Sequence, residues 1–235
     1  MTESVLYQVF RLTAWHPCSF NFALDAEFWS QAEKTLQVLV FPDASRAANS
    51  PVLGIPLSLH KLVLSIVQFS RDPGSKDAQG LAQFKSEMKS WENMVMEDQA
   101  LTSSADADVE LTDSAGDPYR YTTMMYILAA SLVLEWAIQS IDVQDFQPRN
   151  VHRSSNQWQF RKAMDILRCP STCEQWTNCY LGCWPTLIFG YAVDAEDDVA
   201  LIREDLQQRW NRLLSTEVLL VMDELESVWR ERNIG

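Results

Sequence analysis

Apolar residues recur at three- and four-residue steps along most of this chain, the period of one helix face. Phe28, Trp29, Ala32, Leu36 and Leu39 form one such stripe. Asp25 is suited to cap its start, and Phe41-Pro42 would end it. A second stripe opens at Pro56, expected in the first helical turn, where a missing N–H costs nothing. It carries Leu57, Leu59, Leu62, Val63, Ile66, Val67 and Phe69 and would stop at Asp72-Pro73-Gly74. Being apolar on nearly all sides, this helix is expected to be central. Leu81, Phe84, Met88, Trp91 and Val95 mark a third helix.

Glu97 to Asp117 breaks the pattern. It holds Glu97, Asp98, Asp106, Asp108, Glu110, Asp113 and Asp117 with no basic residue, among Ser, Thr, Ala and Gly, and predicts a solvated, mobile loop. Thr122 to Ile141 follows, apolar and nearly long enough to span a membrane. Glu135, Gln139, Thr122, Thr123 and Ser131, with no basic flank beyond Arg120, predict a buried central helix instead. Trp158, Phe160, Ala163, Met164 and Leu167 share a helix with Arg161, Lys162, Asp165 and Arg168, ended by Pro170. Asp194 is expected to cap a helix bearing Val199, Ile202, Leu206 and Trp210, whose acidic first turn suits the helix dipole. The last helix carries Val218, Val221, Met222, Leu225, Val228 and Trp229. Gln37 to Phe41 is the nearest approach to a strand. The expected fold is all-α, one helical array over residues 1–235 with no internal repeat, divided in two by the acidic loop 97–117.

Composition fits that picture. A chain of 235 residues can bury a substantial core, and 47% hydrophobic with 22% charged residues is a globular balance. Only 7 Gly against 9 Trp and 10 Phe favours packed helices over a turn-rich sandwich. The formal charge of -13 repels phosphate backbones. The densest basic stretches, Arg149 to Arg168 and Arg203 to Arg212, alternate with acids or aromatics and read as solvated helix faces, so no direct nucleic-acid contact is expected. Met1-Thr2-Glu3-Ser4 has neither the basic start nor the cleavage site of a secretory signal. An odd five cysteines, four of them within Cys169–Cys183, point to a reducing compartment.

Reactive chemistry is sparse. Cys169, Cys173, Cys179 and Cys183 are separated by three, five and three residues. Two close pairs could hold zinc tetrahedrally, but the spacing matches no familiar finger or ribbon, and buried thiols are the expected role. The histidines are His16, His60 and His152, with no Gly-x-Ser-x-Gly elbow in the chain. His60 lies in an apolar helix and is expected to be a satisfied core or boundary residue. Gly74 and Gly80 punctuate a turn, and no Gly-rich phosphate loop exists. Asp194-Ala195-Glu196-Asp197-Asp198 raises the terpene-cyclase class, in which acids hold magnesium around a diphosphate. Helix-start electrostatics already explain these acids, and a second metal motif and a basic diphosphate sensor are missing. No catalytic, cofactor-binding or metal-ligating residue is assigned, no cofactor is expected, and the chain is not expected to be an enzyme.

One stretch is more specific. Cys183-Trp184-Pro185-Thr186-Leu187-Ile188-Phe189-Gly190-Tyr191-Ala192-Val193-Asp194 opens with an aromatic-proline pair and an apolar turn, passes a glycine, and runs through acids into Ile202-Arg203-Glu204-Asp205-Leu206. It closely resembles a pattern near the C-terminal end of the regulatory domain of fungal zinc-cluster transcription factors. That family reads Trp-Pro, a few apolar residues, Gly-Cys-Glu-Ala, a short acidic stretch and a helix. Ser50-Pro51-Val52-Leu53-Gly54-Ile55-Pro56-Leu57-Ser58-Leu59 resembles its Pro-x-x-Gly-x-x-x-x-Leu lead into the core. Tyr121 through Leu134 looks like its central helix. Ala163-Met164-Asp165-Ile166-Leu167 and Leu225-Glu226-Ser227-Val228-Trp229-Arg230-Glu231-Arg232 also match in order. Together these span about four-fifths of the chain.

Tyr191 departs from the family's usual Cys, and Val193 stands near its usual Ala. The six-cysteine, base-rich DNA-binding cluster has no counterpart: in the Cys169–Cys183 group only Glu174 is charged. The resemblance implies a nuclear, or cytoplasmic, transcription regulator with an all-α regulatory domain, of a kind often encoded beside secondary-metabolite genes. The expected function is a module acting through protein contacts with other transcription regulators or coactivators, as a homo- or heterodimer. Met94, Val95, Met96, Leu101, Val109, Leu111 and Tyr119 interleave with the acids of 97–117, a composition of activation segments as well as of solubilising loops. The alternatives are a small-molecule-binding domain, its pocket lined by Trp184, Phe189 and Tyr191, and a terpene-cyclase-like enzyme.

Overall fold

The computed structural model describes residues 2–15, 24–37, 53–71, 78–103, 120–140, 148–150, 156–177, 179 and 182–234. Among them the fold is all-α, with no strand. The helices are α1 Thr2–Trp15, α2 Ala26–Gln37, α3 Leu57–Arg71, α4 Ala78–Ser103, α5 Arg120–Gln139, α6 Trp158–Arg168, α7 Pro170–Thr177, α8 Cys183–Ala192, α9 Glu196–Leu213 and α10 Thr216–Glu231. A single 3-10 turn, Pro148–Asn150, precedes α6.

Most stripes read from the sequence become buried faces. Asp25 caps α2 through a 2.7 Å bond from the Phe28 N–H to its carboxylate. On α3, Leu59, Leu62, Val63, Ile66, Val67 and Phe69 are buried. Pro56 stands one residue earlier than expected: the His60 N–H bonds its carbonyl at 2.9 Å, so it precedes the first helical residue. Gly54, at φ 60, makes the turn into α3 in a conformation that a side chain would strain. The first helix α1 lacks a sequence prediction, although Leu6, Val9, Phe10 and Thr13 bury one face of it.

Two larger corrections concern α4 and α8. α4 runs through Ser103, so 97–103 of the expected acidic loop is helical; residues 104–117 lie outside the described residues, as do 38–41 of the strand candidate and the stop at Asp72-Pro73-Gly74. Cys183–Ala192 is a helix with all ten residues buried, not a turn. Pro185 is tolerated because the first N–H groups of a helix have no intrahelical partner. The first helical bond, from the Thr186 N–H to the Gly182 carbonyl at 3.1 Å, comes directly after it. Asp194 is likewise not the cap of α9; Ala195 holds that position and offers no side-chain bond.

α5 is the axis of the array. It packs against α3 and α4 from the N-terminal half and against α6, α7 and α8 from the C-terminal half. It is long and apolar enough to cross a membrane by length and composition, and 78% of its apolar window is buried inside the protein. α1 joins the two halves directly, since Phe10 meets Trp184 edge-on with ring centroids 5.4 Å apart. On the far side, α8 is covered by α9 and α10. Gly190 permits that approach, because a Cβ there would collide with the Leu225 side chain of α10. The Trp229 indole N–H then bonds the Gly190 carbonyl at 2.9 Å.

Gly190→Ala is therefore expected to lower the unfolding free energy by about 1–3 kcal/mol through overpacking, read as a shifted urea midpoint at unchanged slope. An unchanged midpoint would mean that Leu225 yields at no cost.

Candidate functional site

The densest polar constellation lies where α7, α8 and α9 meet. α7 ends at Thr177 and the chain must turn into α8, so the last carbonyls must find partners beyond the helix; the Cys179 N–H supplies one, bonding the Trp176 carbonyl at 2.9 Å. Arg209 reaches them from α9. Its Nη1 donates to the Cys179 carbonyl at 2.7 Å and its Nη2 to the Trp176 carbonyl at 3.1 Å. Its Nε donates to Asp205 Oδ2, one helical turn earlier, at 3.0 Å. The guanidinium lies 4.1 Å from the centre of the Trp176 ring, and its residue is 0% exposed. Gly182 leaves the space it fills, since a Cβ at that position would overlap the guanidinium. The Thr186 hydroxyl lies 3.0 Å from both Asp205 Oδ2 and the Gly182 carbonyl, closing the ring of contacts. Burial opposes the charge of Arg209, and Asp205, with Cys179 and Cys183 nearby, outweighs it and leaves the guanidinium pKa raised. Asp205 Oδ1 and the Trp176 indole nitrogen are buried with no hydrogen-bond partner.

The expectation that Arg203 to Arg212 forms a solvated face fails here. Arg209 is sealed, and Arg203 pairs with Glu226 at 2.5 and 2.9 Å while lying over the Trp229 ring. A charged residue every few positions marks solvent in most helices. The exception is legible only as the i, i+4 pair Asp205–Arg209, which also suits an exposed helix.

The candidate residues from the sequence separate rather than converge. Cys169, Cys173, Cys179 and Cys183 are free thiols of different exposure, from exposed Cys169 to buried Cys183. Among the described residues, no three His, Cys, Asp or Glu side chains group as a metal site requires. Hydrogen bonding from Ser171 and Thr172 holds the Cys169 thiol down at about 7, whereas burial pushes the Cys183 thiol far up. In the acidic run, Asp194, Glu196 and Asp197 are exposed, but Asp198 is buried and accepts from Arg168 Nη2 at 2.5 Å. Trp184, Phe189 and Tyr191 are core residues of α8: Trp184 stacks on Tyr126 at 5.7 Å, Phe189 is fully buried, and the Tyr191 hydroxyl donates to Glu224 at 3.0 Å.

His60 is the core residue expected. Both ring nitrogens are buried beside Phe10, at 5.4 Å between centroids, and the Leu6 carbonyl is a poorly aligned acceptor for the ring. Burial pushes its pKa down to about 4, against a smaller opposing pull from the Leu6 carbonyl. The Thr13 and Thr122 hydroxyls are buried and unpartnered. Each stands one turn from an aromatic of the same cluster, Thr13 from Phe10 and Thr122 from Tyr126. His16 and His152 lie outside the described residues.

A second polar chain stitches α4, α5 and α6. The Ser131 hydroxyl donates to Glu92 at 2.5 Å and accepts from Gln159 Nε2 at 3.0 Å. The same amide nitrogen donates to Glu135 at 2.7 Å. Gln157 donates to the other Glu135 oxygen at 2.8 Å and accepts from the Trp136 indole at 2.9 Å. These are joints between helices rather than a cleft.

Compared with known proteins, the chain matches no family model, no curated sequence and no solved structure.

Two outcomes follow from the buried charges. Arg209→Ala is expected to cost about 3–5 kcal/mol, because it leaves the buried Asp205 carboxylate without its cation. The paired change Arg209→Met with Asp205→Leu should recover part of that loss; urea denaturation of the three variants measures it, and a loss below about 1 kcal/mol for Arg209→Ala contradicts the clasp. His60 has a folded pKa near 4 and an unfolded value of 6.5. Its contribution is complete above pH 6.5 and lost as pH falls toward 4, by roughly 3 kcal/mol. Thermal melts between pH 7 and about 4 should therefore fall more steeply for the wild type than for His60→Leu; parallel curves would remove His60 from the acid sensitivity.

Proposed function

We propose that this protein is a transcription-regulatory module that acts through contacts with other regulators or coactivators in the nucleus, like the regulatory domains of fungal zinc-cluster factors. One observation carries the reading. The five segments that resemble that family are dispersed in sequence, yet they occupy one set of mutually packed helices. The described part of the Pro56 lead-in opens α3 against α5, α5 meets α6 and α8, and α8 is covered by α9 and α10. Segments that share a core in the right order form a scaffold rather than a scatter of common apolar helices. The polar side chains of the most specific segment are engaged in holding that core: Thr186 with Asp205, Tyr191 with Glu224, Asp198 with Arg168. Control of secondary-metabolite genes is the finer form of the same proposal.

A second reading, a small-molecule-binding helical domain, is favoured by the unpartnered Thr13 and Thr122 hydroxyls and the weakly held His60 ring around the Phe10–Tyr126–Trp184 cluster. Buried polar groups without partners call for an explanation, and a bound ligand is one. Its wall would be this cluster, not the Trp184, Phe189 and Tyr191 set expected from sequence. A metabolite that raises the melting temperature in wild type but not in His60→Leu would favour it.

A reporter assay tests the leading reading. The whole chain and, separately, residues 97–117 are fused to a neutral DNA-binding domain. The whole chain is expected to change transcription several-fold, either way. Background output from the whole-chain fusion would contradict the proposal, and background output from 97–117 alone would remove its activation role.

A further inference from the structure

The corner between α6 and α7 turns on one residue, Cys169, which ends the first helix and starts the second. Its backbone is extended, at φ -88 and ψ 116, and the Cys173 N–H bonds its carbonyl at 2.9 Å to open α7. A thiol therefore stands in the capping position, where Ser, Thr, Asp or Asn normally accepts from the first free N–H groups. Its Sγ lies 3.4 Å from the Ser171 hydroxyl, and the residue is exposed. Hydrogen bonding from Ser171 and Thr172 holds the thiol at about 7, so about half of it is thiolate at neutral pH. The thiolate is the nucleophilic form, and here solvent reaches it.

A second thiol stands one helical turn further on. Cys173 is partly buried, with its Sγ 3.7 Å from the Thr177 hydroxyl. Burial pushes its pKa up, and the charges of Asp205 and Arg209 both act on it, which sets it beside the clasp. Residues four apart on a helix hold their Cβ atoms about 5–6 Å apart, and a disulfide needs about 3.8 Å. Tightening the first turn of α7 closes that gap. Cys179 and Cys183 are buried, and burial pushes the Cys183 thiol far up, so neither competes as the reactive thiol. An exposed cysteine of low pKa beside a resolving cysteine is the arrangement on which peroxide-sensing thiols depend.

We propose that Cys169 and Cys173 form a reversible dithiol–disulfide switch, oxidised by a hydroperoxide, that loosens the Arg209 clasp. The Cys169 thiolate attacks one peroxide oxygen, the O–O bond breaks, and the departing hydroxide is protonated to water. The Cys169 sulfur gives up two electrons and becomes a sulfenic acid, while the peroxide is reduced. The Cys173 sulfur then attacks the Cys169 sulfur. The S–S bond forms as the S–O bond breaks, and the hydroxide released takes the Cys173 proton and leaves as water. A thiol reductant reverses the reaction by exchange and is itself oxidised to its disulfide. In turning toward Cys169, the Cys173 sulfur leaves Thr177 at the far end of α7. The tightened first turn also pulls on Thr172, whose hydroxyl ties α7 to the Ile166 carbonyl of α6 at 2.5 Å. Both movements reach Trp176 on the same short helix, the ring that lies against Arg209.

The test treats the full chain with hydrogen peroxide at neutral pH and maps its cysteines by differential alkylation and tandem mass spectrometry. The wild type should lose two hydrogens within residues 169–173 and regain them with dithiothreitol. Its oxidised form should melt about 2–4 °C lower, and the same reductant should restore the melting temperature. Cys173→Ser should stop at a sulfenic acid on Cys169 that dimedone traps. Cys169→Ser should leave Cys173 unreacted and keep its fold, since serine is a good cap. No oxidation at Cys169, a disulfide to any other cysteine, or oxidation of Cys173 in Cys169→Ser at the wild-type rate overturns the pairing. A 169–173 disulfide that leaves the melting temperature unchanged overturns the link to Arg209. A fall that dithiothreitol does not reverse, or that Cys169→Ser shares, belongs to methionine oxidation and overturns it equally.

Discussion

The charge of Arg209, enclosed under Trp176 and answered by Asp205, is the constraint on which the C-terminal half of the molecule depends. A guanidinium with five donors in a rigid plane can satisfy two carbonyls and a carboxylate at once; a lysine cannot. It does so at the place where the chain must leave α7 and enter α8. Burying such a pair brings little net stability over a well-packed apolar replacement, but removing one partner is costly. Its effect is therefore one of definition: it allows one arrangement of α7, α8 and α9. Glycine at 182 follows from the same contact, because the guanidinium occupies the volume of a side chain.

With that joint set, α8 can be buried on every side. Such a helix has no solvent face to anchor it, so its register is held by bonds to its own carbonyls. Trp229 bonds the Gly190 carbonyl, and Arg232 bonds the carbonyls of Tyr191 and Arg149 at 2.6 Å each. Arg149 in turn pairs with Glu231 at 2.7 Å. The Glu92–Ser131–Gln159–Glu135 chain performs the same task between α4, α5 and α6. Polar groups in this molecule sit at helix joints, and the exposed leucines gather at the α9–α10 corner.

Much of the fold was legible because amphipathic period survives in single sequences. The stripes of α3, α9 and α10 and the Asp25 cap are where local pattern placed them. The failures have local causes. Pro185 and Gly190 together read as a turn, yet a proline in a first helical turn removes no bond, and the glycine is there for Leu225. The acids after Glu97 read as a loop, although acids are acceptable helix formers and α4 continues through Ser103. Asp194 has the right side chain for a cap, one position too early. The candidate site was least legible of all. Arg209 and Asp205 are ordinary helical neighbours in sequence, and only the position of Trp176 and Cys179, some thirty residues earlier, makes them interior.

Native-state hydrogen exchange tests the central claim most directly, that the α7–α8–α9 joint set by Arg209 belongs to one core with α5. Amides of α8 and of the middle of α9 are predicted to exchange only through the same opening that releases α5, at one common free energy and one common denaturant dependence. Exchange of α8 and α9 at a distinctly lower free energy than α5 would contradict it, showing a C-terminal layer that opens by itself.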